Sequence, residues 1–202
     1  VQEIHALQMH SAVFTRGLLH PKLLDAVEDM MGTEDILLHD NKAVRKIPNK
    51  DIPCPTHQDH EHFAFKKHSL IAIFIHLDDT TNENGALAVY PGSHKLGPLQ
   101  HSYTKHDATG VELPYVDPEK YTLSRATTLP SKKGDVLIYS YMLIHGCHLA
   151  TADKPIRIVL FHMNAADDEP VDGVEHQFAC NGLVLRGRNV KRDAKMENRF
   201  VQ

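Results

Sequence analysis

A mostly β chain with helices gathered in its first third is what this sequence predicts, and three observations carry that reading. Leu70-Ile71-Ala72-Ile73-Phe74-Ile75 is apolar at every position, the pattern of a strand buried on both faces. Val136-Leu137-Ile138-Tyr139 and Ile156-Arg157-Ile158-Val159-Leu160-Phe161 repeat that character later in the chain. Ahead of them, Leu23, Leu24, Val27, Met30 and Met31 fall on one face of a helix, with Pro21 suited to its start and Gly32 to its end.

Taken in order, Ile4 to Val13 is a further helical candidate, and both helices are expected to cover the outside of a sheet. After the 70–75 strand, the polar run Asp78 to Gly85 ends in Asn84-Gly85, a hairpin signal before a strand at Ala86 to Tyr90. Pro91-Gly92-Ser93-His94 reads as a turn, with His94 structural. Residues 95–130 form a long polar stretch containing His101, Tyr103, His106, Tyr115 and Tyr121. Stretches of that length in compact domains are uncommon unless functional or disordered, so a lid over a substrate is expected, the alternative being a surface excursion with short strands of its own such as Leu123 to Leu129. The turn Asp153-Lys154-Pro155 leads into the 156–161 strand. The tail from Arg186 to Arg199 carries Arg186, Arg188, Lys191, Arg192, Lys195 and Arg199 against Asp193 and Glu197, and is expected to be solvated.

The 202 residues suffice for one sizeable core, so a single domain is expected over 1–202, helical over about 1–35. A net charge of −4 argues against a general nucleic-acid partner. No apolar run reaches membrane-spanning length, and nothing fixes an oligomeric state. Cys54, Cys147 and Cys180 are odd in number and lack disulfide-framework spacing, which points to a reducing cytoplasm. The chain begins with Val1 rather than methionine, so a truncated N-terminus is expected.

The chemistry-bearing pattern is His57-Gln58-Asp59, then His145, then Arg157. Two imidazoles and one carboxylate that leave three coordination positions open are what a non-haem Fe(II) oxygenase needs. Residues two apart on a strand share a face, so His57 and Asp59 offer two ligands from one segment, while Gln58, His60 and His62 face away. His145 follows the 136–139 strand and supplies the third. Arg157 brings a cation near the metal if the two late strands pair. With sixteen histidines, clusters arise by accident, and it is the ordered combination that singles out these residues. A zinc site from Cys54, His57, His145 and Cys147 leaves Asp59 and Arg157 unexplained. Thr56-His57-Gln58-Asp59-His60 partly mimics the HxHxDH motif of binuclear zinc hydrolases, but Pro55 stands where the first histidine belongs.

His57-Gln58-Asp59, the run Glu83-Asn84-Gly85-Ala86-Leu87 into Pro91-Gly92-Ser93-His94-Lys95, and His145-Gly146 followed by Arg157 resemble the phytanoyl-CoA dioxygenase family, from about Lys46 to Met163. The resemblance implies a double-stranded β-helix, the cupin-like jelly roll, with a metal at one open end. It implies His57, Asp59 and His145 as Fe(II) ligands and Arg157 as the partner of the distal carboxylate of 2-oxoglutarate. O2 is the oxidant, and oxidative decarboxylation to succinate and CO2 is coupled to hydroxylation of a small molecule. Asp59 fills the position that related halogenases leave open for halide, which favours hydroxylation. Two departures stand out. Cys147 replaces a serine that helps hold the cosubstrate, and the interval from His145 to Arg157 is one residue longer than in several relatives. Lys42 and Lys46 occupy positions that line the cosubstrate pocket in the family pattern. A metal-dependent hydrolase and a noncatalytic binding protein on the same fold are the competing classes. Acyl-CoA thioesters, amino-acid derivatives, phosphonates and natural products are all substrate classes of such relatives.

Overall fold

The computed structural model describes residues 2–48, 54–106, 110–149, 154–172 and 178–190. The chain begins with strand β1 (Gln2–His5), then helices α1 (Ala12–Leu18) and α2 (Pro21–Met31) and the long strand β2 (Ile36–Lys46). There follow β3 (Cys54–His57), β4 (Ile71–His76), β5 (Leu87–Val89), β6 (Ser102–Lys105), β7 (Glu112–Tyr115) and β8 (Thr127–Leu129). The last strands are β9 (Val136–Ser140), β10 (His145–Cys147), β11 (Ile156–Ala165) and β12 (Val184–Arg186).

These strands form two antiparallel sheets and a hairpin. The larger sheet runs β1-β2-β11-β4-β9, with β12 also on β2; the smaller runs β3-β10-β5-β8; β6 and β7 pair with each other. Ala72 and Tyr139 of the larger sheet pack against Leu87 and Val89 of the smaller, so the sheets face one another as the jelly roll requires. The helices cover the other side of the larger sheet. Leu18, Leu24 and Val27 bury against Ile73, Val159 and Phe161, which accounts for the helical stripe read in the sequence. Helix α2 starts with Pro21 in its first turn and ends at Gly32, whose φ of 74° is the left-handed conformation glycine adopts without strain. No described helix is long and apolar enough to cross a membrane.

Three expectations are corrected. Residues 4–13 are not one helix. Gln2–His5 pairs with β2 as an edge strand, and Asn41 Oδ1 accepts from Leu7 N at 2.7 Å to turn the chain, so α1 begins only at Ala12. Pairing with an available sheet edge overrides a weak helical pattern there. Asn84-Gly85 does not close a hairpin, because β4 and β5 lie in different sheets. Thr81 and Asn84 instead cap a 3-10 turn, and Gly85 at φ 90° carries the chain across to the smaller sheet. Strands β9 and β11 do not pair either, since β4 lies between them. Within 95–130 the chain forms the β6–β7 hairpin and the short β8. Asp153 and the tail residues Lys191, Arg192, Asp193, Lys195, Glu197 and Arg199 lie outside the described residues.

Candidate metal centre

His57 and His145 are register partners on the paired strands β3 and β10, which brings their rings to a centroid separation of 4.5 Å. The strand expected to carry both His57 and Asp59 ends at His57, and Asp59 opens a 3-10 turn, Asp59–Glu61. Gln58 makes that turn rigid. Fully buried, it donates to Met142 O at 2.7 Å and Gly97 O at 3.0 Å and accepts from Leu99 N at 2.9 Å, the hydrogen-bonding role its position suggested.

Both histidines are oriented from behind by main-chain carbonyls. His57 Nδ1 lies 2.8 Å from Pro55 O and His145 Nδ1 lies 2.9 Å from Leu143 O, so each Nδ1 carries a hydrogen and each Nε2 is the nitrogen turned toward Asp59. The two Nε2 atoms stand 3.6 Å from the same oxygen, Asp59 Oδ1. One donor atom from each of the three residues lies within 4.8 Å of the others, close enough for two histidines and one carboxylate to hold a single metal ion. Gly146, between His145 and Cys147, lets the strands approach: a Cβ there would lie 2.8 Å from Cys54 O.

Electrostatics prepare two of the three donors. Burial alone would raise the Asp59 carboxyl, but His145, His162 and His57 around it hold it well below the ordinary range, so it is a carboxylate. Burial pushes His145 down to about 4 against the pull of Asp59, so it is a neutral imidazole. Burial also opposes protonation of His57, but the adjacent Asp59 outweighs it and raises the group above its ordinary value.

The three donors open onto a cavity of about 340 Å³ between the sheets, walled by Phe74, Leu87, Ile158 and Leu160. Val111, Leu113 and Pro114 of the β6–β7 region form part of its rim, so the long polar stretch does contribute to the pocket. Lys42 lines it, held 3.2 Å from Glu3. Cys147 lines it as well, accepting from Lys46 Nζ at 2.7 Å. Cys54 and Cys147 are opposite one another in register, but the convergent donors include Asp59 and neither thiol.

Arg157 is not brought to the site. On β11 the residues Ile158, Leu160 and His162 face the cavity, and Arg157, of opposite parity, points out with its side chain 59% exposed. It forms a two-pronged pair with Asp78, Nε to Oδ2 at 2.8 Å and an Nη nitrogen to Oδ1 at 2.7 Å. Side chains alternate faces along a strand, so the residue next to Ile158 in the chain turns away from the cavity. His62, expected to face away, lines the cavity with its ring 6.1 Å from that of His57, because the backbone there is no longer a strand. His60 packs edge-on against His68 and at a tilt against Tyr141, and His94 is exposed.

Two cavity histidines escaped the sequence reading. His162 Nε2 lies 3.8 Å from Asp59 Oδ2, and His76 ends β4 facing inward. Both are buried, and among the described residues no hydrogen-bond partner meets their ring nitrogens. A polar residue keeping inward parity in an apolar strand is the signal that marks them.

Comparison with known proteins places these features in context. The family model described as phytanoyl-CoA dioxygenase (PhyH) matches residues 2–159. The peroxisomal phytanoyl-CoA dioxygenase of Bos taurus is 29% identical over 198 residues, covering 85% of this chain and 58% of that protein. Its Homo sapiens counterpart is covered to 55%, so the chain spans little more than half the length of these relatives. Among solved structures, the non-heme monooxygenase ThoJ in its apo form superposes with a TM-score of 0.74 at 20% identity, over 92% of this chain and 65% of that one. The epimerase SnoN, in complex with Fe3+, alpha ketoglutarate and nogalamycin RO, gives 0.66 at 20% identity, over 93% and 76%.

Proposed function

The chain belongs to the phytanoyl-CoA dioxygenase family, and from that premise we propose that it is an Fe(II)- and 2-oxoglutarate-dependent dioxygenase that hydroxylates a carbon of a small molecule, releasing succinate and CO2. The observation that carries this reading is the approach of His57 Nε2 and His145 Nε2 to one oxygen of Asp59 at the floor of an apolar cavity. The residues fit Fe(II): two imidazole nitrogens and one carboxylate would hold the ion and leave coordination positions for other ligands. Iron and 2-oxoglutarate together supply activation of dioxygen and the oxidising equivalents for attack on an unactivated C–H bond.

The chain's own groups do the remaining work. Pro55 O and Leu143 O fix the tautomer and tilt of the two rings. Asp59 contributes a negative charge that the surrounding histidines keep ionised. Phe74, Leu87, Ile158 and Leu160 keep the reacting centre dry and present apolar surface to a substrate. The rim from Val111 to Pro114 lies where a substrate enters, which favours a small organic substrate over a polymer.

The test is turnover of 2-oxoglutarate in air with added Fe(II) across a set of small metabolites. Substrate-stimulated succinate release in a one-to-one ratio with a hydroxylated product supports the proposal. Hydrolysis of a candidate that proceeds without oxygen or 2-oxoglutarate would replace it with a metal-dependent hydrolase.

A further inference from the structure

We propose that Lys46, supported by His76, is the cation that receives the far carboxylate of a 2-oxo dicarboxylate bound at this centre, the task expected of Arg157. The inference rests on the cosubstrate reading above and assigns to it residues of this chain.

Strand register carries the argument. Lys46 is paired with Ile156 across β2 and β11, so the two share the inward face, whereas Arg157 is paired with Arg45 on the outward one. The position beside Arg157 that faces the cavity is therefore occupied by an isoleucine, and the neighbouring strand supplies a lysine directly opposite it. The Lys46 stem runs past Gly85, where a Cβ would lie 3.7 Å from Lys46 Cδ, and Nζ donates to Cys147 Sγ at 2.7 Å and Gly85 O at 3.4 Å. Cys147 stands two residues along β10 from His145. Two residues of strand span about 6.6 Å, which matches the reach of a five-carbon dicarboxylate with one end on the metal and the other at Nζ.

His76 supplies an independent observation at the same end of the cavity. It is 2% exposed, faces inward, and among the described residues has no hydrogen-bond partner at either ring nitrogen. Buried polar groups without partners are rare in folded proteins and mark places where a ligand completes the bonding. A carboxylate seated beside Lys46 Nζ would give His76 the partner it lacks among the described residues.

The experiment measures binding under anaerobic conditions to Fe(II)-loaded protein, by calorimetry and by the charge-transfer absorption that a chelated 2-oxo acid gives. Two probes are compared, 2-oxoglutarate and 2-oxobutyrate, which lacks the far carboxylate. Wild-type protein is expected to prefer 2-oxoglutarate. Lys46→Met is expected to retain iron, to lose about ten- to a hundredfold in 2-oxoglutarate affinity, as befits one charged hydrogen bond, and to bind 2-oxobutyrate as before. Lys46→Gln, which keeps a polar end, serves if the methionine variant does not fold, with the same loss of preference expected. Arg157→Ala is expected to leave both affinities unchanged. Retained preference in the Lys46 variants, or its loss in Arg157→Ala, overturns the assignment of Lys46 while leaving the oxygenase reading intact. Iron-loaded wild-type protein that binds neither 2-oxo acid overturns both.

Discussion

The two faces of β11 are built from similar side chains and do opposite work. Outward, Val159, Phe161 and Met163 lock the sheet to the helices. Inward, Ile158, Leu160 and His162 form the wall of the cavity. Both faces are buried, so apolarity alone does not tell scaffold from site. The difference lies in what each face tolerates: the outward one is filled by close packing, while the inward one keeps space and admits polar groups such as His162. Arg157 begins the outward row beyond the helices, and there a charged group finds solvent and Asp78 rather than a ligand.

That contrast can be broken at several points. The largest effect is expected for Asp59→Ala at the cavity floor: iron binding falls by more than about a hundredfold, since the loss of one ligand exceeds that of an outer partner, and turnover is abolished. Metal content after dialysis checks this, with thermal unfolding expected to show a folded protein. Phe161→Ala, on the outward face, is expected to cost about 3–5 kcal/mol in stability. Denaturant unfolding measures it, and the folded fraction should bind iron as wild type does. If iron affinity falls while the protein is folded, the two faces are not separable.

A smaller effect is expected inward at His162→Ala. Its Nε2 lies 3.8 Å from Asp59 Oδ2, behind the carboxylate whose other oxygen approaches His57 and His145. Removal of such an outer partner typically lowers metal affinity about ten- to a hundredfold, and competition with a chromophoric chelator reads it. Smallest is Arg157→Ala: an exposed ion pair adds little to stability, so the midpoint of thermal unfolding is expected to stay where it was. A large drop would show that the Asp78 pair closes the end of the sheet.

Much of this architecture was legible in the residues themselves. The apolar runs at 70–75, 136–139 and 156–161 became β4, β9 and β11, and the Pro21 and Gly32 boundaries held for α2, because burial and capping act locally. His57, Asp59 and His145 converge as their order suggested. The fate of Arg157 was not legible, because its face depends on the register of β11, and a shift of one residue reverses it. The same holds for His62: alternation was extended past His57, where the strand had already given way to a 3-10 turn. Edge pairing by residues 2–5 depended on a partner 40 residues away, which no local pattern records. His76 and His162 look like the polar ends of apolar runs until the sheets are folded face to face.

Gly146 carries one more consequence. Its missing side chain sets how closely two main chains run, and the histidines on those chains inherit their separation from it. A methyl group at 146 would act as a wedge between carbonyls, prying apart donors it never touches. The tolerances of this centre are thus partly machined into the backbone, and a redesign that keeps every ligand while widening that gap would possess the correct chemistry at the wrong spacing.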